Sequence, residues 1–274
     1  MSGPSTDPAP AELTDAVIGI AVRAGAAILE IYETEFGVHA KEDASPLTQA
    51  DMASHHGILK GLAELTPTLP VLSEEGGLPA FEERRRWRRY WLVDPLDGTK
   101  EFVKRNGEFT VNIALIDGHR PVLGVVHAPV RRCTYVGCEG LGAWRETEDG
   151  TRVPIRAAIE SASPVRVVGS RSHRSPGLDA FLEKLADFEL VSMGSSLKFC
   201  LVADGAADVY PRLGPTSEWD TAAAQAVVEQ AGGAVWQLEG KPLTYNRKAE
   251  ILNPHFLAVG PQDHDWLGIL SPAE

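Results

Sequence analysis

Four carboxylates, Glu74, Asp94, Asp97 and Asp220, stand where strand-like runs end or a helical run begins. Such positions face loops while rigid elements hold them. The tightest grouping is Asp94-Pro95-Leu96-Asp97-Gly98-Thr99. Pro95 fixes its own φ and biases Asp94 away from helix. Gly98 permits a tight turn that leaves its N–H and that of Thr99 available. Two aspartates three apart on such a turn can converge on one point. A hard cation such as Mg²⁺ takes oxygen ligands of this kind, with water and substrate phosphate completing its shell. Asp-Pro and Asp-Gly are also common turn pairs, so a plain surface turn is the competing reading. Asp220, in Trp219-Asp220-Thr221, opens an Ala-rich helical run that stops at Gly232-Gly233. There it can cap the helix or hold a cation beside a phosphate at the positive helix end.

The charge balance limits what such a site can serve. Against 38 Asp and Glu there are 26 Lys and Arg, a formal net charge of -12. A nucleic acid would be repelled by this surface, so binding by bulk charge is excluded. Phosphate chemistry then needs local positive charge, and a divalent metal is the obvious source. With 43% hydrophobic and 23% charged residues over 274 positions, the chain is globular, one large domain or two modest ones. Residues 1–10 read as a short disordered lead without the basic and apolar parts of a signal peptide. No apolar run reaches the roughly 18 residues of a membrane span. Cys133, Cys138 and Cys200 make no disulfide framework and suit a reduced, cytoplasmic protein.

The elements that must position the carboxylates are legible in outline. Leu13, Val17, Ile20, Ala24, Ile28 and Ile31 predict a helix over about 11–32. A second helix is expected from Thr48, capped by Thr48 with Asp51, with Met52, Leu59, Leu62 and Leu65 inward. After Pro70 the pattern turns strand-like: PVLSEE, RYWLVDPLDG, then a meander of FTVNIALI, PVLGVVHAPV and CTYVGC. Past the small, polar stretch 157–164 the order becomes strand–helix alternation, an α/β half. The expected division is therefore 11–158, an α+β domain with most carboxylates, and 159–274, an α/β domain with Asp220. The run Ala222–Ala224 implies close helix–sheet packing.

Taken together and in order, Ser73-Glu74-Glu75, the Asp94–Thr99 turn and Trp219-Asp220-Thr221-Ala222-Ala223…Ala231-Gly232-Gly233 resemble the inositol monophosphatase superfamily of Mg²⁺-dependent, lithium-sensitive phosphatases. The likeness runs from about residue 12 to 260. DPLDGTKEFVKRNGEFTVNIALI and GSSLKFCLVADGAADVYPRLGPTSEWDTAA resemble most its bacterial 3'(2'),5'-bisphosphate nucleotidase branch. The resemblance implies a layered αβαβα sugar-phosphatase fold and two or three Mg²⁺ ions. It implies that Glu74 binds a metal and positions water, that Asp94 bridges two metals, and that Leu96 offers its carbonyl. Asp97 and Asp220 match carboxylates of the second metal. Gly98 and Thr99 match the turn that holds the phosphate, the Thr99 hydroxyl holds the attacking water, and Asp51 orients that hydroxyl. Glu75 has no assigned role beyond a third, loose metal or solvent.

The same resemblance places Ser195, Lys198 and Arg212 near the nucleotide's base and second phosphate. His173 and Arg171 fall in a loop of the kind that touches the base, with a solvated histidine as the alternative. Lys41 either reaches toward the metals or is a surface lysine. The implied reaction is hydrolysis of adenosine 3',5'-bisphosphate (PAP) to AMP, with its sulfated relative PAPS as second substrate, in sulfate assimilation. The resemblance also leaves room for peripheral inner-membrane association. Broader action on inositol monophosphate or fructose 1,6-bisphosphate is the enzyme alternative. A non-catalytic phosphometabolite-binding protein is the other, and it would be expected to lack one of the carboxylates or Thr99. The Arg84–Arg89 cluster, preceded by Glu82 and Glu83, reads as a solvated, salt-bridged surface. His55 and His56 read as surface or packing residues.

Overall fold

A computed structural model describes residues 10–34, 46–169 and 176–270. In chain order the elements are α1 (Pro10–Tyr32), α2 (Pro46–Leu65), β1 (Val71–Ser73), α3 (Phe81–Arg84), β2 (Arg89–Asp97), α4 (Thr99–Val103), β3 (Thr110–Asp117), β4 (Arg120–Ala128), β5 (Cys133–Cys138), β6 (Gly142–Thr147) and β7 (Arg152–Pro154). There follow β8 (Val165–Gly169), α5 (Pro176–Glu183), β9 (Phe188–Ser192), α6 (Leu197–Ala203), β10 (Val209–Arg212), α7 (Ala222–Gln230), β11 (Ala234–Gln237), β12 (Phe256–Val259) and α8 (Trp266–Leu270).

β1 to β7 lie side by side in sequence order in one sheet, and β11-β12-β10-β8-β9 form a second. Only the β1–β2 pair of the first sheet is parallel; the rest is the expected meander, lengthened by β6 and β7. In the second sheet β8 pairs in parallel with β9 and β10, while β12 runs antiparallel to both neighbours.

Strand periodicity sorts the core into layers. On β2, Trp91 and Val93 face α1 and α2, while Tyr90 and Leu92 face α6 and α7. On the second sheet Val168, Tyr210 and Phe256 face α6 and α7, while Val167, Val209 and Leu257 face α5 and α8. The stack is thus helix, sheet, helix, sheet, helix, the αβαβα layering expected.

The middle layer sits unusually close to the first sheet. A Cβ on Gly124 of β4 would lie 2.0 Å from the Ala223 carbonyl oxygen, and one on Gly137 of β5 2.4 Å from that of Ala226. Two glycines below and an alanine run above bring backbone against backbone, which fixes where α7 begins.

Three expectations need correction. The second helix starts at Pro46, so Thr48 lies inside it and is not its cap; proline suits a first helical turn, where its missing N–H has no partner to lose. Its buried face is Ala50, Asp51, Ser54, His55, Ile58 and Leu62, leaving Met52, Leu59 and Leu65 half-buried. Gly61 explains the rotation, since a Cβ there would meet Ile20 of α1 at 2.7 Å. Finally, Arg84 is not surface. It is fully buried, donating to Asn246 Oδ1 and to the carbonyls of Lys248 and Ala249. Arg85 with Glu82, and Arg88 and Arg89 with Asp117, do form surface ion pairs.

Candidate active site

The carboxylates converge because of a β-bulge. Asp94 pairs with Asn112 and Asp97 with Thr110, so three steps on β2 oppose two on β3. Residues three apart on a regular strand face opposite ways; the extra residue at Pro95–Leu96 turns both aspartates to the face shared by Asn112 and Thr110. Asp94 Oδ1 accepts the Leu96 N–H at 3.0 Å, closing the bulge. The Leu96 side chain is buried in the α1/α2 core, so only its main chain is available to a site. Gly98, at φ 98°, then reverses the chain into α4. A Cβ on it would meet the Glu108 oxygen at 3.1 Å and Ser195 Cβ at 3.2 Å, so glycine serves both conformation and space here.

Glu74 arrives from the neighbouring strand. The parallel register Ser73↔Val93 sets the next residues, Glu74 and Asp94, side by side. His55 Nδ1 holds Ser73 Oγ at 2.9 Å, and Ser54 Oγ donates to Pro95 O at 2.7 Å, so α2 ties down both strand ends. Asp220 comes from the turn before α7. Of its two readings, helix cap or cation ligand, the cap is not what forms: the N-cap position is Thr221 and no side chain caps the helix, and Asp220 Oδ2 accepts the Ser217 N–H at 3.0 Å. One carboxylate oxygen each from Glu74, Asp94 and Asp220 lie within 4.8 Å of one another.

This packing of like charge is costly without a cation. Burial first, then Asp97, Glu74 and Asp220, push the Asp94 carboxyl well above the carboxylate range. Burial and Asp97 raise Asp220 to about 7. Burial with Glu75 and Glu74 raises Asp51 to about 7, which places Asp51 of α2 within charge reach of the cluster. Glu74 keeps much of its surface exposed, yet the loss of water around its carboxylate, ahead of Glu75 and Asp97, raises its carboxyl too. Among the described residues no salt bridge neutralises these groups. An all-oxygen, multiply anionic and partly buried donor set fits a hard divalent cation.

Asp97 is held differently. Its Oδ2 accepts from the Ser196 N–H at 2.5 Å and the Ser196 hydroxyl at 2.7 Å. Thr99 is exposed at the first turn of α4, and among the described residues no hydrogen bond joins it to Asp51.

On the other side of Asp97 lies a small cavity of about 50 Å³, lined by Asp97, Asp220, Ser195, Lys198, Tyr210 and Arg212 among others. Three of the predicted nucleotide contacts, Ser195, Lys198 and Arg212, therefore border Asp97 and Asp220. Lys198 Nζ donates to Ser195 O at 2.6 Å, and burial pushes its ammonium below the usual lysine value. Arg212 is engaged with Thr216 Oγ1 and Pro215 O. Lys41, Arg171 and His173 lie outside the described residues. A larger cavity, about 710 Å³ beside Ile155–Ile159 and Gly260, holds none of the predicted site residues.

Sequence reasoning passed over Ser196, Asn112 and Ser54. Asn112 did carry a signal: with Thr110 it puts polar groups at alternate positions of an otherwise apolar strand. Ser54 and Ser196 carried none beyond their hydroxyls.

The fold and the carboxylate turn place the chain in a class of metal-dependent phosphatases. It belongs to the inositol monophosphatase family, whose sequence model matches residues 9–265. Among curated proteins, the 3'(2'),5'-bisphosphate nucleotidase CysQ of Escherichia coli K12 is 52% identical over 246 residues, 89% of this chain and 98% of that protein. Its Haemophilus influenzae counterpart is 38% identical over 94% of this chain and 96% of its own. Among solved structures, CysQ from Bacteroides thetaiotaomicron superposes with a TM-score of 0.83 at 43% identity, covering 93% of this chain and 98% of that one. An inositol monophosphatase from Zymomonas mobilis, at 23% identity and TM-score 0.76 over 96% and 99%, shares the fold.

Proposed function

We propose that this chain is a Mg²⁺-dependent 3'(2'),5'-bisphosphate nucleotidase, a phosphoric monoester hydrolase that converts adenosine 3',5'-bisphosphate to AMP and phosphate, with PAPS as second substrate. The observation that carries the reading is the approach of Glu74, Asp94 and Asp220 to within 4.8 Å, with the β2 bulge turning Asp97 to the face of Asp94. The 52% identity to a protein named for this activity, over nearly its whole length, supports the substrate class.

Divalent cations at this cluster would neutralise the phosphate, acidify a water and stabilise the leaving oxygen. The chain's part is positioning. Glu74, Asp94 and the Leu96 carbonyl would hold one cation, and Asp94, Asp97 and Asp220 would hold a second, with a third as the upper limit. The N–H groups of Gly98 and Thr99 receive the phosphate oxygens. Glu74 and the Thr99 hydroxyl hold the attacking water, with Asp51 accepting the hydroxyl proton's hydrogen bond. Ser195, Lys198, Arg212 and His173 receive the base side and the second phosphate. The division near residue 158, with recognition groups on the later unit, belongs to the same proposal, as does a role in clearing a by-product of sulfate assimilation in the cytoplasm.

The test is phosphate release with Mg²⁺, comparing kcat/KM for adenosine 3',5'-bisphosphate, PAPS, inositol 1-phosphate and fructose 1,6-bisphosphate. A preference for the bisphosphate nucleotide is expected. A higher value for inositol phosphate would overturn the substrate assignment, and no release from any of them would overturn the enzyme.

A further inference from the structure

Asp97 differs from its neighbours in having one oxygen fully engaged by the protein. Besides the two bonds from Ser196, its Oδ2 has Asn112 Nδ2 at 3.4 Å. The Ser196 hydroxyl in turn accepts from Asn112 Nδ2 at 2.8 Å and lies 2.7 Å from the Asp220 main-chain oxygen. Ser196 and Asn112 are 2% and 1% exposed, so water does not compete for these bonds. One hydroxyl therefore sits where three segments meet: the β2 bulge, β3, and the turn that carries Asp220 into α7. Its acceptor role toward Asn112 leaves its single proton shared between Asp97 Oδ2 and the Asp220 main-chain oxygen, each at 2.7 Å.

The backbone around Ser196 is held rigidly. Ser195 adopts φ 46°, a left-handed conformation unusual for a residue with a side chain. Gly194 N–H donates to the buried Glu108 carboxylate at 2.8 Å, and a Cβ on Gly194 would meet Glu101 at 2.6 Å. The left-handed Ser195 and the Gly194 N–H bond to Glu108 hold the segment 194–196, and with it the hydroxyl, in place.

We propose that Ser196, oriented by Asn112, is a positioning residue for the cation seat: it pins Asp97 Oδ2, leaves Oδ1 as the ligating oxygen, and fixes Asp97 against Asp220. The inference rests on the cation-dependent reading above, but not on its substrate. Because a residue bonded to a ligating carboxylate orients and polarises it, loss of that residue weakens metal binding by about 10–100-fold.

The experiment is a Mn²⁺ titration of the chelator-stripped protein, by calorimetry or by electron paramagnetic resonance of free Mn²⁺, without substrate. Ser196→Ala should weaken at least one Mn²⁺ binding step by about 10–100-fold, with thermal unfolding of the stripped protein close to wild type. Ser196→Thr, which restores the hydroxyl, should regain most of that affinity. Asn112→Ala should weaken binding by itself and add little in the Ser196→Ala background, since both act through one bond chain. With Mg²⁺ limiting, kcat of Ser196→Ala should fall and recover at high Mg²⁺, with KM for the nucleotide little changed. Unaltered Mn²⁺ affinity in Ser196→Ala overturns the proposal, as do fully additive losses in the double variant. Failure of the nucleotidase reading shows separately, as absent phosphate release from a wild-type protein that still binds Mn²⁺.

Discussion

Gly137 of β5 lies directly beneath Ala226 of α7, so close that a Cβ would stand 2.4 Å from the helix's carbonyl oxygen. Gly124 does the same under Ala223, at 2.0 Å. The helix cannot rise without pulling Asp220 from Asp94, so packing far from the turn sets the distance between two carboxylates. Gly124→Ala or Gly137→Ala should destabilise by on the order of 3 kcal/mol, the upper range for overpacking, which is about 6–12 °C in melting temperature. Activity measured well below the transition should fall as well. Gly57, on the exposed face of α2 with nothing within 4 Å of a new Cβ, is the control. Gly57→Ala should stabilise by about 1 kcal/mol through helix propensity. Calorimetry of the three variants checks the contrast.

The carboxylate cluster predicts an inverted pH dependence for the cation-free protein. A carboxyl whose folded value is raised favours the fold below its unfolded value, and that contribution is lost as pH rises through the folded value. For Asp51 and Asp220 the window runs from 3.8 to about 7. In excess chelator the melting temperature should therefore fall across that window, and Mg²⁺ should remove the fall. Asp94→Asn should abolish phosphate release, a loss beyond about 1000-fold or ~4 kcal/mol, yet leave the chelated protein at pH 7 as stable as wild type or more so. A destabilised Asp94→Asn protein in chelator would show that the cluster is not strained by like charge.

His127 works in the opposite direction. Burial lowers its imidazole from 6.5 to about 4, and Nδ1 is 2.9 Å from Thr134 Oγ1. Here the folded state resists protonation, so stability is complete above about 6.5 and declines as pH falls toward 4. The shift is worth about 3 kcal/mol. His127→Gln should unfold with a shallower acid dependence than wild type between those limits, whatever its stability at pH 7. Urea unfolding at pH 7 and pH 5, with Mg²⁺ present, measures the difference.

How much of this the residues announced depends on the range of the interaction. The long helix α1, the meander and the strand–helix alternation follow from local periodicity, and they were readable. The carboxylates themselves were readable because a Pro-bearing turn and a Gly reversal are local. The bulge that makes Asp94 and Asp97 face one way was not, since it exists only as a register between β2 and β3. Arg84 shows the limit most clearly. Its neighbours are charged and three of its cluster pair on the surface, but its partners, Asn246 and the Lys248–Ala249 carbonyls, lie some 160 residues on. On α2 Leu62 was read correctly as buried, but Met52 and Leu59 were taken as inward in place of their neighbours Asp51 and Ile58, because Gly61 meets Ile20, a contact with another helix.

Variants of Thr99 and Asp51 should separate catalysis from binding. Thr99 is exposed at the start of α4 and Asp51 is buried on α2 beside Glu74 and Glu75. If the Thr99 hydroxyl holds the water, Thr99→Ala should lower kcat by about 100-fold or more, with KM changed only a few-fold, the mark of a contact made chiefly in the transition state. Thr99→Ser should retain most of the rate. A change confined to KM would reduce Thr99 to a phosphate-binding residue, and an intact rate in Asp51→Asn would remove Asp51 from the water's support.

Selectivity for the second phosphate should reside in Lys198. Its ammonium is buried, spends one donor on Ser195 O and lines the cavity that Asp97 and Asp220 border. An ammonium has three donors, so two remain for a ligand. Burial lowers its value, which means the lysine gains from an anion that restores its charge's surroundings. A charge-assisted phosphate contact contributes about 1.5–3 kcal/mol, which is one to two decades in kcat/KM at ~1.4 kcal/mol per decade. Lys198→Met, which keeps the buried stem, should therefore cost about 10–100-fold on adenosine 3',5'-bisphosphate. Adenosine 3'-monophosphate has the same reacting phosphate and base but no second phosphate, and it should lose less than about threefold by the same reckoning. Arg212→Lys should follow the same pattern more weakly, because Arg212 is already engaged with Thr216 and Pro215. Equal losses on both nucleotides would mean that Lys198 supports Asp97 or the 194–196 turn, and the second phosphate would then have to be sought against another cation.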